Sequence, residues 1–304
     1  MNVTGPWPPE FAGLPRPFVR HNEDDPAWLH ALPALLEQLA VRWSLALDPP
    51  FPDIAFNYVA PATRAGGARC VLKVSRHVEE TRNEIAALRL WNGDGAARLL
   101  EADEALGALL IERLEPGTML ADAGADDDAM AVITAGVLRR LWRPAPAGSG
   151  LRSLESWCAA YDRNREALSR GADGFPAALF RRADAMRRDL LASSGVPVAL
   201  HGDMHHFNVV AAWRASAIGW LAIDPKGLAG DPCFDVCQFL RNPHYVPPPI
   251  NRRRLDIFCA ELDLDRGRAR EWCFVHAMLN ACWDVEEGHP WGPAVAYAEE
   301  TLSF

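Results

Sequence analysis

Apolar residues recur at helical spacing over residues 26–45, at Trp28, Leu32, Leu35, Leu36, Leu39 and Trp43, behind an Asp24-Asp-Pro26 start signal. The run Asp48-Pro-Pro-Phe-Pro52 stops that helix. Residues 54–61 and 69–74 read as two strands joined by Thr63-Arg-Ala-Gly-Gly67, a hairpin signal. A helical period returns over 77–91 (Val78, Ile85, Leu88, Trp91) and halts at Asn92-Gly-Asp-Gly95. Residues 99–100 and 108–113 read as two more strands, and Glu115-Pro-Gly117 then breaks the chain. From Ala129 onward the pattern is mostly helical, over 132–142, 154–168, 176–191, 252–262 and 267–288, with a Pro/Gly/Ala loop at 144–150. Residues 1–25 are Pro-rich and read as irregular. Strands dominate before the break and helices after it, which makes Glu115-Pro-Gly117 a natural hinge.

Two polar groups interrupt apolar elements. Lys73 sits in the strand 69–74 among Val71, Leu72 and Val74, where an ammonium is costly unless it is paired or reaches water. Glu84 lies on the helix that follows, and a strand lysine followed by a helix glutamate is the pair that holds nucleotide phosphates in kinase-like enzymes. Glu79 and Glu80 compete for that role, but they stand at the helix start, where acids favour the macrodipole.

The segment His201-Gly-Asp-Met-His-His-Phe-Asn208, followed by Ile223-Asp-Pro-Lys-Gly227, carries the most chemistry. Asp203 and Asn208 keep the His-x-Asp-x-x-x-x-Asn spacing of a phosphoryl-transfer loop. The apolar runs 209–212 and 220–223 then lead to Asp224, which reads as loop, strand, turn, strand. Phosphoryl transfer needs a carboxylate to orient a hydroxyl and take its proton. It also needs hard oxygen ligands, such as a carboxylate and an amide carbonyl, for Mg²⁺. A rival reading gathers His201, Asp203, His205 and His206 around a hydrolytic metal, with His244 or His276 as further ligands. Cys233 and Cys237 read as core residues.

Composition narrows the partners. The chain has 304 residues, 49% hydrophobic and 23% charged, enough for two lobes around sizeable cores. A net charge of −9 argues against nucleic acid or an anionic membrane and permits a cationic substrate. No apolar run approaches the roughly 20 residues that span a bilayer. No signal peptide is apparent in residues 1–10, and the seven scattered cysteines fit a reducing cytoplasm.

With these residues in hand the chain resembles the aminoglycoside phosphotransferase superfamily, in the branch of streptomycin 6-kinases and hydroxyurea phosphotransferases. The resemblance rests on Leu200-His-Gly-Asp-Met-His-His206, Trp220-Leu-Ala-Ile-Asp-Pro-Lys-Gly-Leu228 and Gly230-Asp-Pro232. Gly95-Ala-Ala-Arg-Leu-Leu100, Leu110-Ile-Glu-Arg-Leu-Glu-Pro-Gly117, and Trp283 with the acids after it, add to it. The resemblance implies an α+β, protein-kinase-like, two-lobed fold. Residues 1–114 would form a small, mainly β, nucleotide-binding lobe with a helical N-terminal extension. Residues 115–304 would form a helical lobe with the catalytic loop, metal and acceptor sites. It further implies Asp203 as catalytic base, Asn208 and Asp224 as Mg²⁺ ligands, Lys73 on the phosphates and Glu84 orienting Lys73. Backbone groups of the hinge, Glu112 and Leu114 among them, would meet adenine. ATP is the implied donor, with GTP left open.

One departure stands out. No Gly-x-Gly-x-x-Gly occurs at the first hairpin; Ala55-Phe-Asn-Tyr-Val59 stands there instead. The implied acceptor is a small hydroxylated molecule. Streptomycin carries two guanidinium groups, which would pair with carboxylates such as Asp284, Glu286 and Glu287. Hydroxyurea is neutral and needs no such cluster. A kinase-like binding protein without turnover is the reading from another class.

Overall fold

The computed structural model describes residues 13–214, 217–243 and 246–304. The chain forms two compact units, one of Met1–Ile85 with Ala97–Arg113 and one of Ala86–Ala96 with Leu114–Phe304.

The first unit is built on a five-stranded antiparallel sheet of order β1-β2-β3-β5-β4. Its strands are β1 (Leu45–Leu47), β2 (Tyr58–Arg64), β3 (Arg69–Val74), β4 (Leu99–Asp103) and β5 (Ala108–Glu112). Helices α1 (Arg16–His21) and α2 (Pro26–Trp43) precede it, so the 1–25 region is not wholly irregular. Asp25 accepts the N–H of Trp28 and Pro26 opens α2, a start that satisfies one of the orphan donors of the first turn. Phe18, Leu29, Leu32, Leu39 and Trp43 form one core with Tyr58, Ala60, Cys70, Leu72, Val74 and Leu110.

Two boundaries differ from the sequence pattern. α2 ends at Trp43 because Ser44 turns left-handed (φ 55°) and Leu45 pairs with Arg64 in the sheet. β2 begins at Tyr58 rather than 54. The backbone carbonyls of Ala55 and Phe56 are held instead by the buried Asn22 side chain, at 3.3 Å each. Pairing in β3 puts Cys70, Leu72 and Val74 on the core face, all 0% exposed, which turns Lys73 to the opposite face. Helix α3 (Val78–Trp91) follows, with Glu79 and Glu80 exposed in its first turn.

The second unit carries two small sheets and most of the helices. β6 (Pro116–Met119), β9 (Val209–Arg214) and β10 (Ala217–Ala222) form an antiparallel sheet of order β10-β9-β6. β7 (Arg152–Ser153), β8 (Val198–Leu200) and β11 (Leu228–Gly230) form the other, with β11 central. The helices are α4 (Asp127–Leu141), α5 (Leu154–Trp157), α6 (Ala160–Ser169), α7 (Ala177–Ala192), α8 (Cys237–Leu240), α9 (Pro248–Leu262), α10 (Arg266–Glu287) and α11 (Gly292–Thr301). The single helix read over 154–168 is two, interrupted at Cys158, where ψ is 6°.

Helix α10 is the centre of this unit, with Trp272, Phe274, Val275, Met278 and Leu279 all fully buried. Its polar ties run outward: Tyr161 Oη donates to the Val275 carbonyl at 2.7 Å, and Trp272 Nε1 donates to Asp231 Oδ2 at 2.9 Å. Arg254 on α9 is buried against Asp127, the first residue of α4, with Nε–Oδ1 at 3.0 Å. Cys233 and Cys237 are buried, and all seven cysteines are free thiols. Among the described residues no helix is long and apolar enough to cross a membrane.

Candidate active site

The segment from His201 to Asn208 runs from the end of β8 to the start of β9, and β10 then returns to deliver Asp224, the order read from the sequence. His201 stitches the loop to that second delivery point. Its Nδ1 accepts the Asp203 N–H at 3.2 Å, so the proton sits on Nε2, which donates to the Ile223 carbonyl at 2.9 Å. Burial pushes its pKa down to about 4, so the ring is neutral near pH 7. The Asn208 carbonyl accepts the Ile223 N–H at 3.0 Å, and the His201 carbonyl accepts the Lys226 N–H at 2.8 Å. The loop that carries Asp203 and Asn208 is thus tied to Ile223 and Lys226, on either side of Asp224 in the chain.

Gly202 is required by this geometry. Its φ is +82°, and a Cβ there would stand 2.8 Å from the Leu228 side chain. A residue that the sequence pattern did not single out holds the turn. Asp235 accepts the N–H of His201 at 2.8 Å, of Gly202 at 2.7 Å and of Trp142 Nε1 at 3.0 Å. Burial raises its pKa to about 6 against the pull of these donors. Asp235 follows Gly230-Asp-Pro232 closely in sequence, but nothing in that run announces a bond to a loop 33 residues away.

Burial raises the pKa of Asp203, and the Asp224 carboxylate raises it further; His205, Lys226 and a hydrogen bond from Gln238 pull it back. The side chain is about one-fifth exposed, so it is open to a ligand. Asn208 is buried and its Nδ2 donates to the Asp203 carbonyl at 2.9 Å. That bond fixes the amide and leaves Oδ1 as the acceptor. Asp224 adopts a left-handed backbone, φ 57°, uncommon outside glycine but tolerated by Asp. A carbonyl-type oxygen and two carboxylates, of which Asp224 raises the pKa of Asp203, fit a hard divalent cation better than a soft one.

In the first unit, Lys73 Nζ lies 2.6 Å from Glu84 Oε2, with both side chains less than 10% exposed. Glu84, not Glu79 or Glu80, is therefore the partner of the strand lysine. Glu112 is tied to Arg98 twice: its N–H donates to the Arg98 carbonyl at 2.9 Å, and its carboxylate accepts the Arg98 N–H at 2.7 Å. Leu114, half-buried, opens the second unit.

The three acids at the end of α10 do not act together. Glu286 is held in a two-pronged bond by Arg163, at 2.8 Å on each oxygen, and by Asn164 at 2.8 Å; the Arg163 bond holds its pKa low. Glu287 is exposed beside His289 at 3.2 Å. Asp284 alone is half-buried, its pKa raised by burial and lowered by Arg241, a guanidinium that also feels Asp203.

Among the described residues the histidines are not arranged as a metal cluster. Both ring nitrogens of His201 are engaged as above. His206 is buried and stacked on Phe239, centroids 3.8 Å apart, and His276 packs edge-on to Phe234 at 5.2 Å. His244 lies outside the described residues. Among the described residues no three His, Cys, Asp or Glu side chains converge as a metal site.

Comparison with known proteins bears on what these residues form. A family model described as aminoglycoside/hydroxyurea antibiotic resistance kinase matches residues 42–288. A streptomycin 6-kinase of Streptomyces glaucescens is 39% identical over 282 residues, 88% of this chain and 87% of that protein. A hydroxyurea phosphotransferase of Kitasatospora aureofaciens is 37% identical over 280 residues, 90% of this chain and 80% of that protein. In fold, the chain is similar to a thermostable mutant of aminoglycoside phosphotransferase APH(4)-Ia solved as a ternary complex with ADP and hygromycin B. That match has a TM-score of 0.57 at 14% identity and covers 88% of this chain and 96% of that one. The fold is protein-kinase-like, and the chain belongs to the aminoglycoside/hydroxyurea antibiotic resistance kinase family.

Proposed function

We propose that this kinase transfers the γ-phosphoryl group of ATP to a hydroxyl of a cationic aminocyclitol of the streptomycin type. The observation that carries the reaction is the pairing of an open Asp203 carboxylate with an Asn208 amide locked so that its oxygen points away from the Asp203 carbonyl. Asp203 takes the hydroxyl proton as the oxygen attacks the γ-phosphorus, the bond to the bridging oxygen breaks, and ADP departs. Asn208 Oδ1 and Asp224 would hold Mg²⁺, which when bound neutralises charge on the nucleotide phosphates. Lys73, held by Glu84, binds phosphate oxygens, and backbone groups at Glu112 and Leu114 meet the base. We assign the nucleotide contacts to residues 1–114 and catalysis, metal and acceptor to residues 115–304. Free thiols throughout suit a reducing cytoplasm.

The acceptor rests on the streptomycin 6-kinase likeness and on Asp284, a half-buried carboxylate that a guanidinium could pair with. A second reading, hydroxyurea, draws support from Glu286 and Glu287: both already have partners, which leaves less acid for a dication. ADP release from ATP and Mg²⁺ with streptomycin, other aminocyclitols, hydroxyurea and simple sugars decides between them. Release with streptomycin, and a phosphorylated streptomycin by mass, is the expected result. Release with hydroxyurea alone establishes the second reading, and none with any acceptor defeats both.

A further inference from the structure

The first hairpin carries Ala55-Phe-Asn-Tyr-Val59 in place of a glycine-rich run, and the end of α1 grips it. Asn22, the residue that closes α1, is 1% exposed, and its Nδ2 faces three backbone carbonyls. It donates to the Phe18 carbonyl at 2.8 Å and to those of Ala55 and Phe56 at 3.3 Å each. Carbonyls only accept, so the amide orientation is fixed, and the two longer contacts share one N–H. Oδ1 is buried with no partner among the described residues, so these carbonyls are the polar ties of the side chain. Beside this clamp the Phe56 ring packs on His21, centroids 4.5 Å apart. Arg76, three residues beyond Lys73, binds the Asp24 carboxylate at 2.9 Å and the His21 carbonyl at 3.4 Å. The clamp and the strand lysine therefore share one frame.

The peptide plane gives the clamp a direction. These peptides are trans, and a trans peptide sets its N–H opposite to its C=O. With the Ala55 and Phe56 carbonyls aimed at Asn22, the N–H groups of Phe56 and Asn57 point away from α1. Helix α1 packs on the core face of the sheet, Phe18 and Val19 with Cys70, Leu72 and Val74, whereas Lys73 is turned to the opposite face. Val59, two residues beyond Asn57, pairs with Lys73. The two N–H groups thus turn toward the lysine face, and neither has a partner among the described residues. Successive N–H groups aimed one way form a concavity for an anion. We propose that Asn22 is a positioning residue for the nucleotide, whose clamp on the flap carbonyls aims the Phe56 and Asn57 N–H groups at phosphate oxygens of ATP. The inference rests on the reading that Lys73 binds those phosphates. A side chain on α1 then fixes a backbone shape that glycines would merely permit.

The test sets KM for ATP against the inhibition constant of adenosine, which has the base and ribose but no phosphate, in wild type, Asn22→Ala, Asn22→Ser and His21→Ala. Asn22→Ala should raise KM for ATP about 10-fold, the size expected for weakened hydrogen bonds to a charged group. The adenosine constant should stay within about 3-fold of wild type. Asn22→Ser, which restores one donor for the carbonyls, should fall between the two. His21→Ala, at an exposed position, removes only the ring contact with Phe56 and should move KM for ATP the same way by about 3-fold. It carries the comparison should the Asn22 variants not fold. A KM for ATP that is unmoved in the folded variants overturns the proposal. So does a parallel rise for ATP and adenosine, which would make Asn22 a support for the lobe as a whole. ATP affinity unchanged in Lys73→Met would instead defeat the underlying reading of where the phosphates bind, whatever Asn22 does.

Discussion

The Asp235 carboxylate receives the backbone N–H of Gly202 at 2.7 Å, on the residue next to the proposed catalytic base. Together with the His201 N–H and the Trp142 indole, it fixes the turn that aims Asp203. Asp235→Asn keeps the shape but sets an amide donor against one of three donors. A displacement of about 1 Å at a reacting group can lower the rate about 10²-fold. The expected outcome is a kcat reduced by about that factor with KM for ATP within about 3-fold, read by steady-state kinetics beside a thermal melt. A kcat loss of less than about 3-fold removes Asp235 from this positioning role.

The Lys73–Glu84 pair predicts coupled losses. Breaking a buried ion pair from one side leaves an uncompensated charge at about 3–5 kcal/mol, so Glu84→Gln is the milder probe and Lys73→Met the matching one. Each should weaken ATP binding and slow transfer. The double variant should fall well short of the sum, since the two residues act as one unit. Calorimetric ATP titration of the four proteins measures the coupling, and additive losses contradict it.

Buried histidines set a pH dependence of stability. His201, His206 and His276 have pKa values lowered by burial to about 4, about 3 and about 3. Between the ordinary value of 6.5 and those values the unfolded chain binds protons that the folded chain refuses. Their contribution is therefore present above about pH 6.5 and lost as pH falls. Asp235, raised to about 6, works the other way: between its ordinary value of 3.8 and about 6 the folded chain binds the extra proton, which stabilises it as pH falls. Three groups outweigh one, and each net proton is worth about 1.4 kcal/mol per pH unit. Urea unfolding should show a loss of roughly 2–3 kcal/mol from pH 7.5 to pH 5.5. A stability that is flat or rises over that interval contradicts the neutral, buried assignment.

The acceptor end of the site separates by charge state. Glu286→Gln removes an exposed ion pair with Arg163 and should change stability by about 0.2–1 kcal/mol, with KM for streptomycin unmoved. Asp284→Asn should raise that KM by about 10-fold, the size expected for loss of a hydrogen bond to a charged group, and leave KM for ATP alone. Equal effects of the two substitutions would return the three acids to a single solvated helix end.

What was legible in the sequence was local. Asp203, Asn208 and Asp224 are read from spacing along a loop and two apolar strands, and Lys73 with Glu84 from a charge placed where a strand and a helix should be apolar. The first strand was misplaced because Asn22, 33 residues away, bonds the carbonyls that the pattern assigned to the sheet. Asp235 escaped notice for the same reason, since its partners lie 33 and 93 residues off. Strands β7, β8 and β11 are two or three residues long, too short for a period to show, and they exist through mutual pairing. The acids at the end of α10 read as a cluster because the pairing that sets Glu286 apart, with Arg163 of α6 across 123 residues, is invisible in the local pattern.

The central claim is that Asp203 takes the proton of the acceptor hydroxyl, and single-turnover transfer from labelled ATP to streptomycin by Asp203→Asn tests it most directly. Losing a positioned base should slow transfer about 10²–10⁴-fold while ATP binding, followed by calorimetry with a non-hydrolysable analogue, stays within about 3-fold of wild type. Burial raises the Asp203 pKa, so the acid limb of the wild-type rate should also lie above the ordinary carboxylate range. A variant that keeps more than about a tenth of wild-type transfer contradicts the assignment and takes the base out of this loop.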